Sequence, residues 1–290
     1  MIVFRINVVA KKAIIRQLWL SLQLLKQNTT NYIIHMKKAI TLLLVLMQSI
    51  SFFAQDAFVA KYFTSSGGDT LFYRELTPLS AIKKKSYPLV IFLHGAGERG
   101  SDNMKQMTHG ANMFLNPVNR EKYPAYVIMP QCPESGYWAY KQRPSSFNPP
   151  EMPVGEDITP IFLSLRGLLD EYLNKPEVDR KRVYIIGLSM GAMGTYDFVS
   201  RYPELFAAAV PVCGTVNPKR LKSARNVNFR IFHGDADNVV PVEGSREAYK
   251  ALKKNGAKVE YIEYPGCNHG SWNPAFNEKD FMEWLFKQKK

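Results

Sequence analysis

Cysteine is scarce in this sequence, and its scarcity excludes two kinds of architecture. Cys132, Cys213 and Cys267 are the three cysteines among 290 residues, and no Cys-x-x-Cys or histidine-rich spacing accompanies them. Three scattered thiols are too few for a disulfide scaffold, and they lack the clustering of a zinc site. We therefore predict no bound metal. We expect three reduced, largely buried cysteines, with a Cys213–Cys267 bridge as the alternative.

The excess of basic residues is concentrated in the first part of the chain. The formal net charge is +13, but residues 1–54 contain seven Lys and Arg and no Asp or Glu. The other residues carry 31 basic and 25 acidic side chains, which is a net charge of +6. The triplet Lys83-Lys84-Lys85 is typical of a solvated turn, and no aromatic residues are interleaved with it. We therefore expect no nucleic-acid partner.

Residues 36–54 have the composition of a secretory signal peptide. The positive Met36-Lys37-Lys38 is followed by an apolar run over 39–50 and by a small residue, Ala54. The run is shorter than the ~20 residues of a membrane span, although a membrane anchor is the alternative. We predict that residues 1–35 are an upstream extension that results from a start codon assigned too early. Residues 55–290 would form one domain. This domain would be secreted or periplasmic, without stable membrane insertion.

Strand-like and helix-like patterns alternate along the rest of the chain. Helical periodicity is found over 157–173, after residue 189, over 242–255 and over 277–287. The alternation predicts an α/β fold with a doubly wound, mostly parallel sheet of about eight strands and helices on both faces. The first two strands would form an antiparallel edge. The apolar strand candidates are 56–63, 69–76, 88–94, 125–130, 183–186, 206–213, 228–233 and 258–264.

A Gly-x-Ser-x-Gly pattern, Gly187 to Gly191, stands between a strand candidate and a helix candidate. A serine at such a turn is held in a strained conformation, and small flanking residues let the strand and the helix approach closely. A serine hydroxyl needs a base and an orienting carboxylate to act as a nucleophile. Loops after later strands supply Asp235 or Asp237 and then His269. This is the order of a serine hydrolase in a doubly wound fold.

Four stretches of the sequence resemble the α/β-hydrolase superfamily. They are similar to the branch of dienelactone-hydrolase, carboxylesterase and polyhydroxyalkanoate-depolymerase-like esterases, which includes feruloyl and acetylxylan esterases. The resemblance implies one catalytic domain without a cofactor. The stretches are 93–100, 187–191, 233–241 and 267–272.

The resemblance also implies roles for individual residues. The acid of these families precedes a Val-Pro pair, which selects Asp237 over Asp235 and gives the catalytic triad Ser189, Asp237 and His269. The backbone amides of Ala96 and Met190 would form the oxyanion hole.

The loop over 131–155 is rich in proline and aromatic residues, and no regular element fits it. We predict that it forms a lip of the site and that Tyr137 and Trp138, with Trp272 of a later loop, contact the substrate. Packing of these rings in the core is the alternative. His94 would hold the oxyanion loop, which Glu98 and Arg99 would fix, whereas His109 and His233 would be structural or at the surface.

These residues predict a secreted hydrolase that cleaves carboxylic esters through an acyl-enzyme. The substrate would be a small-molecule ester or an acyl group linked to a plant polysaccharide, such as a feruloyl or acetyl group. One alternative is a serine peptidase resembling prolyl oligopeptidase. Another is a carbohydrate-binding relative without catalysis. The sequence leaves the oligomeric state open.

Overall fold

The computed structural model describes residues 16–17, 19–20, 36–38, 57–79, 86–154 and 158–290. The chain divides into two units, residues 1–56 and residues 57–290. The signal peptide predicted at 36–54 lies almost entirely outside the described residues, as does the extension predicted at 1–35. Among the described residues, no helix has the length and apolar character needed to cross a membrane.

One eight-stranded sheet forms the centre of residues 57–290, in the order β1-β2-β4-β3-β5-β6-β7-β8. β1 pairs with β2 and β2 with β4 in antiparallel fashion, and the other neighbours are parallel. The predicted mostly parallel sheet with an antiparallel edge is therefore confirmed. The strands are β1 Val59–Thr64, β2 Thr70–Leu76, β3 Tyr87–Leu93, β4 Tyr126–Pro130, β5 Val178–Leu188, β6 Ala208–Val212, β7 Asn228–Gly234 and β8 Val259–Tyr264.

The central strands bury side chains on both faces of the sheet. In β3, Leu89 and Ile91 enter one apolar cluster, whereas Val90 and Phe92 enter another on the opposite face. Successive side chains of a strand point to opposite faces, so a continuous apolar run is the pattern that two covered faces require.

Helices cover both of these faces, as predicted. The first cluster includes residues of α3, α4 and α5, and the second includes residues of α1, α6 and α7. The helices are α1 Ala111–Leu115, α2 Pro117–Lys122, α3 Pro160–Leu173, α4 Met190–Arg201, α5 Glu243–Lys254, α6 Trp272–Phe276 and α7 Phe281–Lys287.

Two predicted helices differ from the observed ones at their ends. The helix predicted over 277–287 is observed only from Phe281, as α7. The short α6 precedes it and ends at Phe276, where the amide of the C-cap residue Asn277 donates to the carbonyls of Pro274 and Ala275. The helix predicted from residue 157 begins instead at Pro160. Thr159 accepts a hydrogen bond from the amide of Phe162 there, and this N-cap with proline at the first helical position defines the start.

The carboxyl ends of β3, β5, β7 and β8 lie at the same edge of the sheet. The loops that leave them contain His94, Ser189, Asp237 and His269, respectively. Parallel strands thus bring together residues that lie up to 175 positions apart in sequence, and this edge is where a doubly wound fold holds its site.

Candidate active site

Ser189 lies on a strained turn between β5 and α4. Its backbone has φ 53° and ψ −116°, and its amide donates to the carbonyl of Val212 at 2.9 Å. A Cβ atom at Gly187 would lie 2.1 Å from the carbonyl oxygen of Gly191, and one at Gly191 would lie 2.0 Å from that of Leu93. No side chain fits at either position, so the close approach of strand and helix explains both glycines of the sequence pattern.

A chain of hydrogen bonds joins Ser189, His269 and Asp237. His269 Nε2 lies 2.9 Å from Ser189 Oγ, and His269 Nδ1 lies 2.7 Å from Asp237 Oδ2. The ionised carboxylate only accepts, so Nδ1 carries the proton and Nε2 accepts from the serine hydroxyl. This is the arrangement in which a neutral imidazole can remove a proton from a serine.

Asp237 stays ionised in a site that water scarcely reaches. Its Oδ1 accepts hydrogen bonds from the amides of Val239 and Val240, both at 2.9 Å. Burial acts to raise the pKa of Asp237, but the hydrogen bonds from His233, His269 and these two amides outweigh it and hold the pKa well below its usual range.

His233, predicted to be structural or at the surface, is a buried partner of Asp237. It is fully buried, with Nε2 at 3.1 Å from Asp237 Oδ2 and 3.0 Å from the carbonyl of Val240. Both of these are acceptors, so Nε2 donates, and Nδ1 accepts from Ser245 Oγ at 2.7 Å. The i,i+4 spacing was the available signal, because His233 lies near the end of β7 and Asp237 lies in the loop that follows it.

Two hydrogen bonds join the loops that carry Asp237 and His269. Asp235 Oδ1 accepts from the amide of Gly266 at 2.6 Å, and the amide of Ala236 donates to the carbonyl of Cys267 at 3.0 Å. Asp235 therefore caps the histidine loop, and it is Asp237 that contacts His269. A Cβ atom at Gly234 would lie 2.2 Å from the carbonyl oxygen of Cys267, so only glycine permits this approach.

His94 braces the loop that follows β3. Its Nδ1 donates to the carbonyl of Gly95 at 2.6 Å, and its Nε2 accepts from the amide of Cys132 at 2.9 Å. Burial lowers the pKa of His94 to about 4, which keeps the ring neutral. Arg99 also ties this loop to the following one, because its guanidinium donates to the carbonyls of Ala96 and Glu134, each at 3.0 Å.

The backbone amides of Ala96 and Met190 stand at the starts of two short helical segments. Ala96 begins the 3₁₀ turn Ala96–Glu98, and Met190 begins α4. Within the described part of the chain, neither amide has a hydrogen-bond acceptor. Both are therefore free to donate to a ligand oxygen, as the first amides of a helical segment often are.

A cleft of about 350 Å³ opens beside Ser189 and His269. Two of the three rings predicted to contact the substrate, Tyr137 and Trp272, line this cleft. His109, Arg143 and Phe147 line it as well, although the sequence interpretation did not place them there. The guanidinium of Arg143 lies over the ring of Phe147, 5.1 Å from its centroid. The loop over 131–155 thus contributes one wall of the cleft.

Trp138 does not line this cleft, and the prediction that it contacts the substrate is corrected. The side chain is fully buried, and its Nε1 donates to the carbonyl of His94 at 3.0 Å. The indole also packs against Gly194 of α4. Trp138 therefore packs in the core and supports the loop that follows β3, which is the alternative given for this ring.

The three cysteines are free thiols, with Cys132 and Cys213 buried and Cys267 partly exposed. Cys213 Sγ lies within 4.8 Å of ligand atoms of Asp237 and His269, the one candidate metal cluster found among the described residues. Burial raises the pKa of the Cys213 thiol, and Asp237 and His269 are already hydrogen-bonded to each other. A metal here would have to displace that hydrogen bond.

A doubly wound sheet with a serine on a strained turn between a central strand and a helix defines an α/β hydrolase. Comparisons with known proteins extend this assignment. The model of the phospholipase/carboxylesterase family matches residues 79–283, and the chain belongs to that family. It is therefore a hydrolase of the carboxylesterase type.

Individual relatives agree with this family. A solved thermostable esterase is 36% identical, with a TM-score of 0.74, over 82% of this chain and 64% of that chain. A probable carboxylesterase of Oryza sativa subsp. japonica is 26% identical over 66% of this chain and 75% of that protein. A bifunctional acetylxylan esterase/xylanase of Neocallimastix patriciarum is 30% identical over 37% of this chain and 17% of that protein. The chain spans less than two thirds of the thermostable esterase.

The low pKa of His94 predicts a pH-dependent stability. An unfolded histidine has a pKa of about 6.5, whereas that of His94 in the fold is about 4. Between about pH 6.5 and about pH 4, His94 binds a proton in the unfolded chain but not in the folded chain. The free energy of unfolding therefore falls as the pH falls. The total loss is about 3 kcal/mol. In His94→Gln this component should vanish, as measured by urea unfolding at pH 7 and pH 4. An unchanged pH dependence in the variant would contradict the assignment.

Proposed function

We propose that this chain hydrolyses carboxylic esters through an acyl-enzyme on Ser189, with His269 as the base and Asp237 as its orienting carboxylate. The observation that carries the proposal is the continuous hydrogen-bonded series from Ser189 Oγ to Asp237 Oδ2. The ionised Asp237 fixes the tautomer of His269 and stabilises the imidazolium that forms when the serine proton is taken up.

Acylation begins when Ser189 Oγ attacks the ester carbonyl carbon and its proton passes to His269 Nε2. The carbonyl oxygen becomes an oxyanion, which accepts hydrogen bonds from the unpaired amides of Ala96 and Met190. The tetrahedral intermediate then expels the alcohol, and His269 Nε2 returns the proton to the leaving oxygen. Ser189 is left as an ester of the acyl group.

Deacylation repeats these steps with water as the nucleophile. His269 takes one water proton while the hydroxide oxygen bonds to the acyl carbon. The second tetrahedral intermediate releases the carboxylic acid, and the proton returns to Ser189 Oγ. Both half-reactions use the same residues, and water is the one further reactant.

We also propose that the substrates are acyl groups linked to polysaccharides and that the chain acts after export. The partial similarity to a bifunctional acetylxylan esterase/xylanase supports the first point, as do the aromatic and polar walls of the cleft. The pattern of residues 36–54 supports the second. If the segment is a signal peptide cleaved after Ala54, mass spectrometry of the exported protein will find Gln55 as the first residue. An intact amino terminus on exported protein would argue against cleavage.

The first catalytic prediction concerns the cooperation of Ser189 and His269. Ser189→Ala and His269→Ala should each lower kcat for p-nitrophenyl acetate by about 10⁴ to 10⁶, and the double variant should be little worse than either. The physical reason is that each residue acts only through the other. Steady-state kinetics with far-ultraviolet circular dichroism as a folding control measures this. Losses that add up in the double variant would show that the two residues act separately.

The second catalytic prediction uses the two aspartates as a matched pair. Asp237→Asn should lower kcat by about 10⁴, because an amide in this place no longer fixes the productive tautomer of His269. Asp235→Asn removes a charge two residues away but leaves the bond between His269 and Asp237, so its loss of kcat should be far smaller. Equal losses of kcat in the two variants would contradict the assignment of Asp237 as the acid.

A further inference from the structure

A second cleft lies next to the catalytic one, and the two share a wall. Its volume is about 490 Å³, within the range of about 300–1,000 Å³ that is usual for small-molecule sites. His109 and Trp272 line both clefts, with their rings 5.1 Å apart. A molecule that extends past this pair of rings from the catalytic cleft therefore enters the second one.

Asparagine side chains dominate the lining of the second cleft. Among the described residues, the lining contains no lysine or arginine and includes five asparagines: Asn112, Asn116, Asn119, Asn273 and Asn277. An asparagine amide has donors and an acceptor, which a sugar hydroxyl can pair with in both senses. Three of the five are partly engaged within the chain: Asn116 Oδ1 accepts from the amides of Val118 and Asn119, and Nδ2 of Asn119 and of Asn277 donates to the carbonyls of Met113 and Asn273, respectively. The absence of cations from the lining disfavours an anionic ligand. The chemistry therefore fits a neutral, polyhydroxylated molecule.

Several polar groups of this lining have no partner in the protein. The exposed side-chain amides of Asn112 and Asn273 make no hydrogen bond in the described part of the chain. Trp272 Nε1 is a buried donor without an acceptor there. Glu278, in contrast, is engaged, because it accepts from the hydroxyl of Tyr264 at 2.9 Å. Because the amides of Asn112 and Asn273 are exposed and not used within the described chain, both can hydrogen-bond a ligand in the cleft.

The position of the second cleft relates it to the leaving group of the reaction. His269 returns a proton to the alcohol oxygen, so this oxygen must come within reach of Nε2. Trp272 stands beside His269, with the ring centroids 5.5 Å apart and the planes almost perpendicular. Trp272, which lines both clefts, is thus a direct neighbour of the base His269. The alcohol part of the ester is the part that this geometry directs past Trp272.

We propose that the asparagine-lined cleft is a carbohydrate subsite that binds the sugar from which the acyl group is removed. The inference rests on the proposed ester hydrolysis and adds the place and the chemical class of its alcohol. Asn112 and Asn273 hydrogen-bond sugar hydroxyls, and Trp272 separates the sugar from the acyl group in the catalytic cleft.

A binding experiment tests the subsite without any turnover. Xylotriose is titrated calorimetrically into the full chain, into an Asn112→Ala/Asn273→Ala double variant and into Asn226→Ala. Asn226 is a matched control, because it is also exposed but precedes β7, at the opposite edge of the sheet. The double variant should bind about tenfold more weakly, since at least one hydrogen bond per amide is lost, and the control should bind like the parent. No binding to the parent chain, or equal binding to the double variant, overturns the subsite.

A kinetic experiment separates the subsite from the catalytic proposal. The ratio of kcat/KM for acetylated xylotriose to kcat/KM for p-nitrophenyl acetate should fall about tenfold in the double variant and stay unchanged in Asn226→Ala. An unchanged ratio in the double variant overturns the subsite while ester hydrolysis stands. If Ser189→Ala instead retains full activity on p-nitrophenyl acetate, the serine mechanism fails whatever xylotriose does. Should the double variant not fold, Asn273→Ala alone gives the same test with a smaller change.

Discussion

The contact between the first turn of α4 and the end of β3 is the constraint on which the rest of the site depends. Gly191 lies so close to the carbonyls of Leu93 and His94 that a methyl group would collide with both. This contact sets the distance between the turn of Ser189 and the loop that starts at Gly95. Ala96 follows Gly95 and Met190 follows Ser189, so this contact also limits how far apart the amides of Ala96 and Met190 can lie. The strained backbone of Ser189 follows from it, because the turn has no room for a relaxed one.

A second layer of contacts holds the parts that this constraint brings together. Two buried histidines perform different tasks, and each is fixed by its partners: His94 joins two loops, whereas His233 donates to Asp237. Asp237 can remain ionised away from water only because four donors surround it, and removal of any one would leave a partly uncompensated charge. Stability and reactivity thus depend on the same hydrogen bonds, and the carboxylate that orients His269 also joins two loops.

Sequence patterns predicted the sheet because a strand that is buried on both faces is a continuous apolar run. A run such as that of β3 has no polar alternation, and β4, β6 and the second half of β5 are buried in the same continuous way. The chain order of Ser189, Asp237 and His269 was readable for a similar reason, because each follows a strand. The role of Trp138 was not readable. An aromatic residue in a proline-rich loop can face a cleft or the core, and the choice depends on the carbonyl of His94, which is 44 residues away. The helix α6 was not predicted at all, because its five residues are too few to show a helical period.

The nucleophile and the base are supported by parts of the sheet that differ in burial. Ser189 follows β5, which lies between β3 and β6 and ends in fully buried residues. His269 follows β8, an edge strand that pairs only with β7 among the described strands and is at most half-buried along its length. Edge strands open at a lower free-energy cost than central ones, since fewer contacts hold them. We therefore expect local fraying of β8 to move His269 away from Ser189 while the serine and its turn stay in place. Hydrolytic activity is accordingly expected to be lost under milder conditions than those that unfold the sheet, because it depends on an edge strand.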